Sequence, residues 1–165
     1  MFREMRRSRQ KLDGISCKEI LKNATSGVLA LYGDEGYPYA VPMSFCADGE
    51  YLYFHSAKSG HKIDAVRRDE RASFCVVSKD GVVPEEYTTY FESVIVFGRI
   101  SVITDEKEKR RAITLLADKY NPDDTPEHRE HAINAEYAPL CMLKMKIEHV
   151  SGKQAIELVK QKSGH

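Results

Sequence analysis

The sequence predicts a mainly β fold, a closed or nearly closed antiparallel barrel with helices at its periphery. Five or six short segments rich in β-branched and aromatic residues are separated by turn signals, a pattern typical of antiparallel barrels. The predicted helices lie beside or between these segments, so the strands supply the core. The 165 residues contain no repeat, linker or low-complexity tract, which predicts a single domain over residues 1–165.

The N-terminal segment begins with a basic arm over residues 1–12. A mobile arm and an arm that clasps a partner are both compatible with this composition. Ser16 and Glu19 have the spacing of a capping box, and this predicts a short amphipathic helix from Cys17 to Asn23. The basic residues of the arm are Arg3, Arg6, Arg7, Arg9 and Lys11.

After this helix, the spacing of apolar residues changes from the helical period to that of a strand. Segments 27–32 and 39–45 predict a hairpin around a glycine-containing turn. Pro42 cannot donate to a ladder, so the second strand is predicted to be an edge or to break there. The remaining predicted elements are a strand over 51–56, a helix over 59–68, a strand over 72–77, a polar loop over 78–86, one long strand or two with a bend over 88–103, helices over 105–120 and 125–138, a last strand over 140–150, and a polar tail over 153–165 that can extend as a helix.

Composition narrows the function classes. Lysine plus arginine equals aspartate plus glutamate at 25 each, which argues against nucleic acid as the main partner. No apolar run reaches the roughly 20 residues of a membrane span, and no secretory signal is recognised, so we expect a cytoplasmic protein. The four cysteines are scattered and are expected to be reduced core residues, and no clustered ligands predict a metal site.

One turn stands out as a candidate anion site. It follows a predicted strand, opens a predicted helix, and carries Ser56, Ser59, Gly60, His61 and Lys62. Hydroxyls, free N–H groups at a helix N-terminus and a lysine together favour a phosphomonoester ligand. A helix N-cap with a solvated basic first turn is the alternative that these residues leave open.

This turn and several other stretches of the chain resemble the FMN-binding split-barrel superfamily of pyridoxamine 5′-phosphate oxidase, and within it the nitroimidazole-resistance branch. The resemblance rests on the order and spacing of several short stretches along nearly the whole chain. These are residues 5–7, 27–30, 36–42, 53–57, 60–64, 73–76, 93–98 and 151–153.

The resemblance implies an antiparallel Greek-key split barrel that forms a homodimer, with an FMN at each of two sites on the subunit interface. Val41, Pro42, Met43 and Ser44 would line the flavin ring, partly through backbone groups. His55 and Ser56 would lie beside the ring and the ribityl chain. His61 and Lys62 match the pair that grips the phosphate, and Ser93 would reach the flavin of the other subunit.

The chain also departs from the oxidase. His61 stands where the oxidase has arginine, and the oxidase's tryptophan-and-arginine substrate motif is missing because the chain has no tryptophan. We therefore expect no pyridoxamine 5′-phosphate oxidation, while FMN binding remains the prediction.

The expected function is FMN-dependent reduction of a small acceptor such as a nitroimidazole, with a reduced nicotinamide as donor. His55 is the candidate catalytic residue, and a hydrogen-bonded structural histidine is its alternative. Two further functions stay open: a non-catalytic flavin store or sensor, and a haem-binding or haem-degrading protein. His128, His131 and His149 are interpreted as surface residues.

Overall fold

The computed structural model describes residues 1–163. Within these residues, seven antiparallel strands form one sheet, with five α-helices around it. The strands are β1 (Ser26–Tyr32), β2 (Pro38–Ser44), β3 (Cys46–Asp48), β4 (Tyr51–Ala57), β5 (Arg71–Val83), β6 (Thr88–Val102) and β7 (Leu140–Gln154). The helices are α1 (Gly14–Asn23), α2 (His61–Arg68), α3 (Glu106–Tyr120), α4 (Pro126–Glu136) and α5 (Ile156–Ser163).

The sheet is curled into a barrel that stays open along one seam. Its strand order is β2-β1-β5-β6-β7-β4-β3, so β2 and β3 are the two edges. Only Phe45 separates the end of β2 from the start of β3, and the sheet must therefore curl until its edges meet. The mainly antiparallel barrel with peripheral helices is confirmed, but the sheet is not closed, since the order of the described strands ends at these two edges.

The lengths of the two edge strands place a gap beside β4. β3 has three residues and covers only the first half of β4, Tyr51–Tyr53. The second half of β4 therefore lies across the seam from β2. Below the gap, the seam is filled by Phe45, Phe54 and Phe74, which are all fully buried. Their rings lie 4.7–6.5 Å apart between centroids, in tilted or edge-on contacts.

The predicted edge position of Pro42 is confirmed: this residue has no N–H to donate, and it lies in the edge strand β2. Three other local predictions are wrong. The N-cap of α1 is Asp13, whose carboxylate accepts from the Ser16 N–H at 2.7 Å, and not Ser16 itself. Residues 78–83 continue β5, because residues 79–83 pair with residues 88–92 in an exposed ribbon that has no hydrophobic face for the sequence pattern to reveal. The short strand β3 carries too few residues to show a period.

The C-terminal segment is more integrated than a polar tail. β7 continues to Gln154, and Ala155 and Leu158 are buried. The basic arm is tied to the same strand, where the Leu12 N–H donates to the Gly152 carbonyl at 3.0 Å. No helix within residues 1–163 has the length and apolarity that crossing a membrane requires.

Candidate functional site

A cavity of about 570 Å³ occupies the gap between β2, the end of β4 and the start of α2. Its size falls within the roughly 300–1,000 Å³ typical of small-molecule sites. β2 has only one neighbouring strand, so part of its backbone is free to meet a ligand. The lining residues are Tyr39, Pro42, Met43, Ser44, His55, Ser56, Ala57, Ser59, Gly60, His61 and Lys62.

Most of the predicted site residues meet here. Eight of the ten line the cavity: Pro42, Met43, Ser44, His55, Ser56, Ser59, His61 and Lys62. Val41 does not, because it packs against the hydrophobic core. Ser93 does not either, since it lies on β6 between Val77 and Lys153. The roles of both residues stay predictions: Val41 would contact the flavin ring through its backbone, and Ser93 would reach the flavin of a second subunit.

Lys62 is the central cation of the cavity. Its side chain is half-buried, and its Nζ donates to the thioether Sδ of Met43 at 3.1 Å. No carboxylate within residues 1–163 pairs with this ammonium. Burial lowers the pKa of Lys62, because desolvation penalises its charged form. A thioether is a weak acceptor, so the ammonium has the capacity to bind an anion.

The start of α2 supplies backbone N–H donors in addition to the Lys62 ammonium. Its N-cap is Gly60, whose φ of 115° suits a glycine and whose missing side chain leaves the helix uncapped. By contrast, α1, α3 and α4 are each capped by a side-chain oxygen. The first N–H groups of α2, at His61 and Lys62, therefore have no acceptor within the helix. The hydroxyls of Ser56 and Ser59 line the same cavity and hydrogen-bond to no described residue.

His61 is held in place by two neighbours. Its ring stacks on Tyr39 with 4.0 Å between centroids, and its Nε2 lies 3.4 Å from the Asp34 carboxylate. Arg68 fixes that carboxylate from the other side at 2.6 Å and also donates to the Gly33 carbonyl at 2.9 Å. These contacts lower the pKa of Asp34, chiefly through the hydrogen bond from Arg68.

Asp34 is a site residue that sequence reasoning missed. It lies in the β1–β2 turn, and turn propensity alone explains an aspartate there. Only the docking of this turn on α2 brings its carboxylate to His61.

His55 lies on the wall of the cavity and keeps contact with solvent. Its pKa is lowered, first by desolvation and then by the charge of Lys62. The neutral imidazole therefore prevails at pH 7, because the ordinary histidine pKa is already about 6.5. A neutral ring can accept or donate a hydrogen bond, so His55 is suited to orienting a bound molecule and poorly suited to supplying a proton.

The cysteines and the remaining histidines lie outside this chemistry. All four thiols are free, and burial raises the pKa of each, that of Cys46 to about 11. His128 pairs with Asp124 at 2.8 Å, and His149 stacks on Phe2. Residues 1–163 contain no group of three or more metal-binding side chains.

Residues 15–154 match the sequence profile of a family described as pyridoxamine 5′-phosphate oxidase. The chain belongs to that family. No curated protein matches the chain. Family membership confirms the resemblance carried by the sequence motifs.

Three solved structures show how the chain resembles its relatives. A protein from Bacteroides thetaiotaomicron, described as a candidate 5-nitroimidazole antibiotic resistance protein, is 25% identical, with 87% of this chain and 85% of that chain covered and a TM-score of 0.73. A FAD-binding protein from Mesorhizobium loti is also 25% identical, with 88% and 97% covered and a TM-score of 0.66. A FAD- and haem-binding protein from Mycobacterium smegmatis, 22% identical over 89% and 73%, shares the fold with a TM-score of 0.70.

Proposed function

We propose that this protein binds FMN in the cavity between β2, β4 and α2 and reduces small molecules with it. The observation that carries the proposal is the half-buried Lys62 ammonium, which has no carboxylate partner within residues 1–163 and lies at an uncapped helix N-terminus. A terminal phosphomonoester would supply the missing negative charge and accept from the free N–H groups. The FAD-binding relative from Mesorhizobium loti supports a flavin as the ligand class.

The residues of the cavity fit the rest of such a ligand. Ser56 and Ser59 offer unused hydroxyls near the phosphate end. Pro42, Met43 and Ser44 would contact the ring from the β2 edge, and Val41 would contribute backbone groups only. We assign FMN rather than FAD because one lysine and one helix N-terminus suit a single terminal phosphate.

A second copy of the chain would complete the site. The outward face of the sheet is unusually apolar, with Val28, Ile95 and Phe97 at 36–40% exposure. The register Pro42–Val28–Cys75–Ile95 runs straight across this face to the β2 edge of the cavity. Ser93 alternates onto the same face as Ile95, so a homodimer through this surface would present Ser93 to the partner.

When bound, the flavin would carry electrons from a reduced nicotinamide to a small acceptor such as a nitroimidazole. The chain's own residues would bind and position. Lys62 would hold the phosphate, with His61 beside it. His55, neutral at pH 7, would orient the acceptor by a hydrogen bond.

The decisive experiment is an absorbance spectrum of the purified protein, before and after addition of FMN and gel filtration. Retained flavin bands that disappear in Lys62→Ala and persist in the exposed control Lys58→Ala support the proposal. A Soret band, or no retained flavin, would overturn it in favour of a haem protein or another ligand.

Catalysis is tested separately. Oxidation of NADH or NADPH coupled to anaerobic loss of the nitroimidazole absorbance, at a rate above that of free FMN, supports the oxidoreductase. Tight FMN retention without turnover would identify a flavin store or sensor. An Ile95→Lys variant that elutes as a monomer by light scattering and loses FMN would place the site at the dimer interface.

A further inference from the structure

A second candidate site lies where the basic arm meets the C-terminal helix. The arm folds into a 3₁₀ turn over Ser8–Gln10, in which the Gln10 N–H donates to the Arg7 carbonyl at 3.0 Å. Lys11 then forms a bridge with Lys153 of β7, three residues before the start of α5. These contacts bring the arginines of the arm to the start of α5. A cavity of about 320 Å³ results there, lined by Arg6, Arg7, Ser8, Arg9, Gln10 and Ile156.

The three arginines of this cavity have no counter-ion among the residues that the structure describes. Within residues 1–163, none of the Arg6, Arg7 and Arg9 side chains takes part in an ion pair, a hydrogen bond or a contact with an aromatic face. In this the three differ from Arg68, Arg71 and Arg99, which all pair with carboxylates. The three exposed arginines line one cavity of about 320 Å³, so an anion bound there would relieve the repulsion between their charges.

Gln10 supplies an independent observation. Its side chain is 95% buried, at a relative exposure of 5%, and it lines the cavity. Its Oε1 is sealed from solvent and has no hydrogen-bond partner in the described chain. The carboxamide as a whole makes no hydrogen bond to residues 1–163. A sealed acceptor without a partner is rare, because leaving it unpaired costs roughly 1–3 kcal/mol. The N–H₂ group of the same amide also has no partner within residues 1–163, and it offers two donors to a ligand.

The N-terminus of α5 points to the same class of ligand. The helix begins at Ile156, and the residue before it, Ala155, has no side-chain oxygen to act as a cap. The first N–H groups of α5 therefore have no acceptor within the helix. Glu157 is the acid of this first turn, and its charge acts on the Tyr90 phenol. The first residue of α5, Gln10 and three arginines thus line one small space.

We propose that this cavity is a binding site for the phosphate group of a small molecule. Arginine binds phosphate through two parallel N–H···O bonds, and helix N-termini favour dianions. The site shares no residue with the cavity around Lys62, so it is a separate function of the arm. Three arginines line one small cavity, and the chain carries no net charge, which favours a compact ligand over a nucleic-acid backbone.

The test measures the binding of inorganic phosphate and pyrophosphate by titration calorimetry, with the full-length chain saturated with FMN or, where no FMN binds, as purified. The double variant Arg6→Ala/Arg9→Ala should weaken pyrophosphate binding by roughly tenfold or more. Arg3→Ala is the matched control, because Arg3 belongs to the same arm but does not line the cavity, and it should bind as the parent protein does.

Gln10→Leu separates the site from folding. Leucine suits the buried position, so the variant should melt at the same temperature or higher while pyrophosphate binding weakens by a similar factor. Unchanged binding in both Gln10→Leu and the arginine variant would overturn the proposal. Tighter binding of a short oligonucleotide, with a steep salt dependence, would also overturn it in favour of nucleic acid. Lys62→Ala keeps this site intact, so failure of the flavin proposal and failure of this one are distinguishable.

Discussion

Replacing Lys62 by methionine should stabilise the empty protein and abolish its ligand binding. The Lys62 ammonium is half-buried, contacts the Met43 thioether at 3.1 Å and has no carboxylate partner among residues 1–163. Desolvation lowers its pKa, which means that the fold disfavours the charge it carries at pH 7. Methionine has a similar length and packs favourably beside Met43.

The magnitude follows from removing an unpaired, partly desolvated cation. The site is not fully enclosed, so we expect a gain of roughly 0.5–2 kcal/mol in the free energy of unfolding, typical of substitutions that relieve functional strain. For a chain of this size that corresponds to a rise in Tm of roughly 1–8 °C. FMN at 100 times its Kd should stabilise the parent protein by about 2.7 kcal/mol and leave the variant unchanged.

Thermal unfolding with and without FMN measures both effects, and Lys58→Met is the control because Lys58 is an exposed lysine of the same turn. The order of the two melting temperatures should reverse: the variant has the higher Tm without FMN, and the parent protein has the higher Tm with FMN. A variant that melts below the parent without FMN would refute the argument from desolvation. A variant that FMN still stabilises would refute the assignment of Lys62 to the phosphate.

Three further predictions concern single positions. His55→Ala should retain FMN but lower the rate of acceptor reduction by roughly 10²-fold. In the parent protein this rate should be constant above pH 6.5 and fall at lower pH, because His55 gains a proton there. An equal loss of FMN binding and of turnover in the variant would contradict a role in orientation. Asp34→Asn should weaken FMN binding several-fold, because it releases Arg68 and His61. The control Asp69→Asn breaks a comparable arginine pair away from the cavity and should leave FMN binding unchanged. Fluorescence titration with FMN measures both. Gly98→Ala should destabilise the fold by roughly 2–4 kcal/mol in urea, because its Cβ would overlap the Lys146 carbonyl at the β6–β7 bulge, whereas Gly81→Ala, with its nearest neighbour at 3.8 Å, should change stability little.

The pH dependence of stability can be assigned a sign at two groups. The pKa of Asp69 is lowered to about 2, first by the hydrogen bond from Arg71, so its contribution is present above its ordinary value of 3.8 and is lost as the pH falls towards 2. The lowered pKa of His55 acts in the same direction at higher pH, because protonation below 6.5 favours the unfolded chain.

The sequence by itself determined the fold class, the edge position of Pro42 and most of the candidate site. Alternating apolar residues predict strands, and a proline without a donor predicts an edge, because both are local consequences of backbone geometry. Ser56, Ser59, His61 and Lys62 are close in sequence, so one strand-to-helix turn is enough to bring them together.

The tertiary structure alone decided which other residues join them and where the barrel opens. β3 is too short to cover β4, and this leaves the gap in which Pro42, Met43 and Ser44 face His55 across the seam. Asp34 reaches His61 only because the β1–β2 turn docks on α2. Contacts between residues distant in sequence depend on register, curvature and docking, which the local pattern of side chains does not encode.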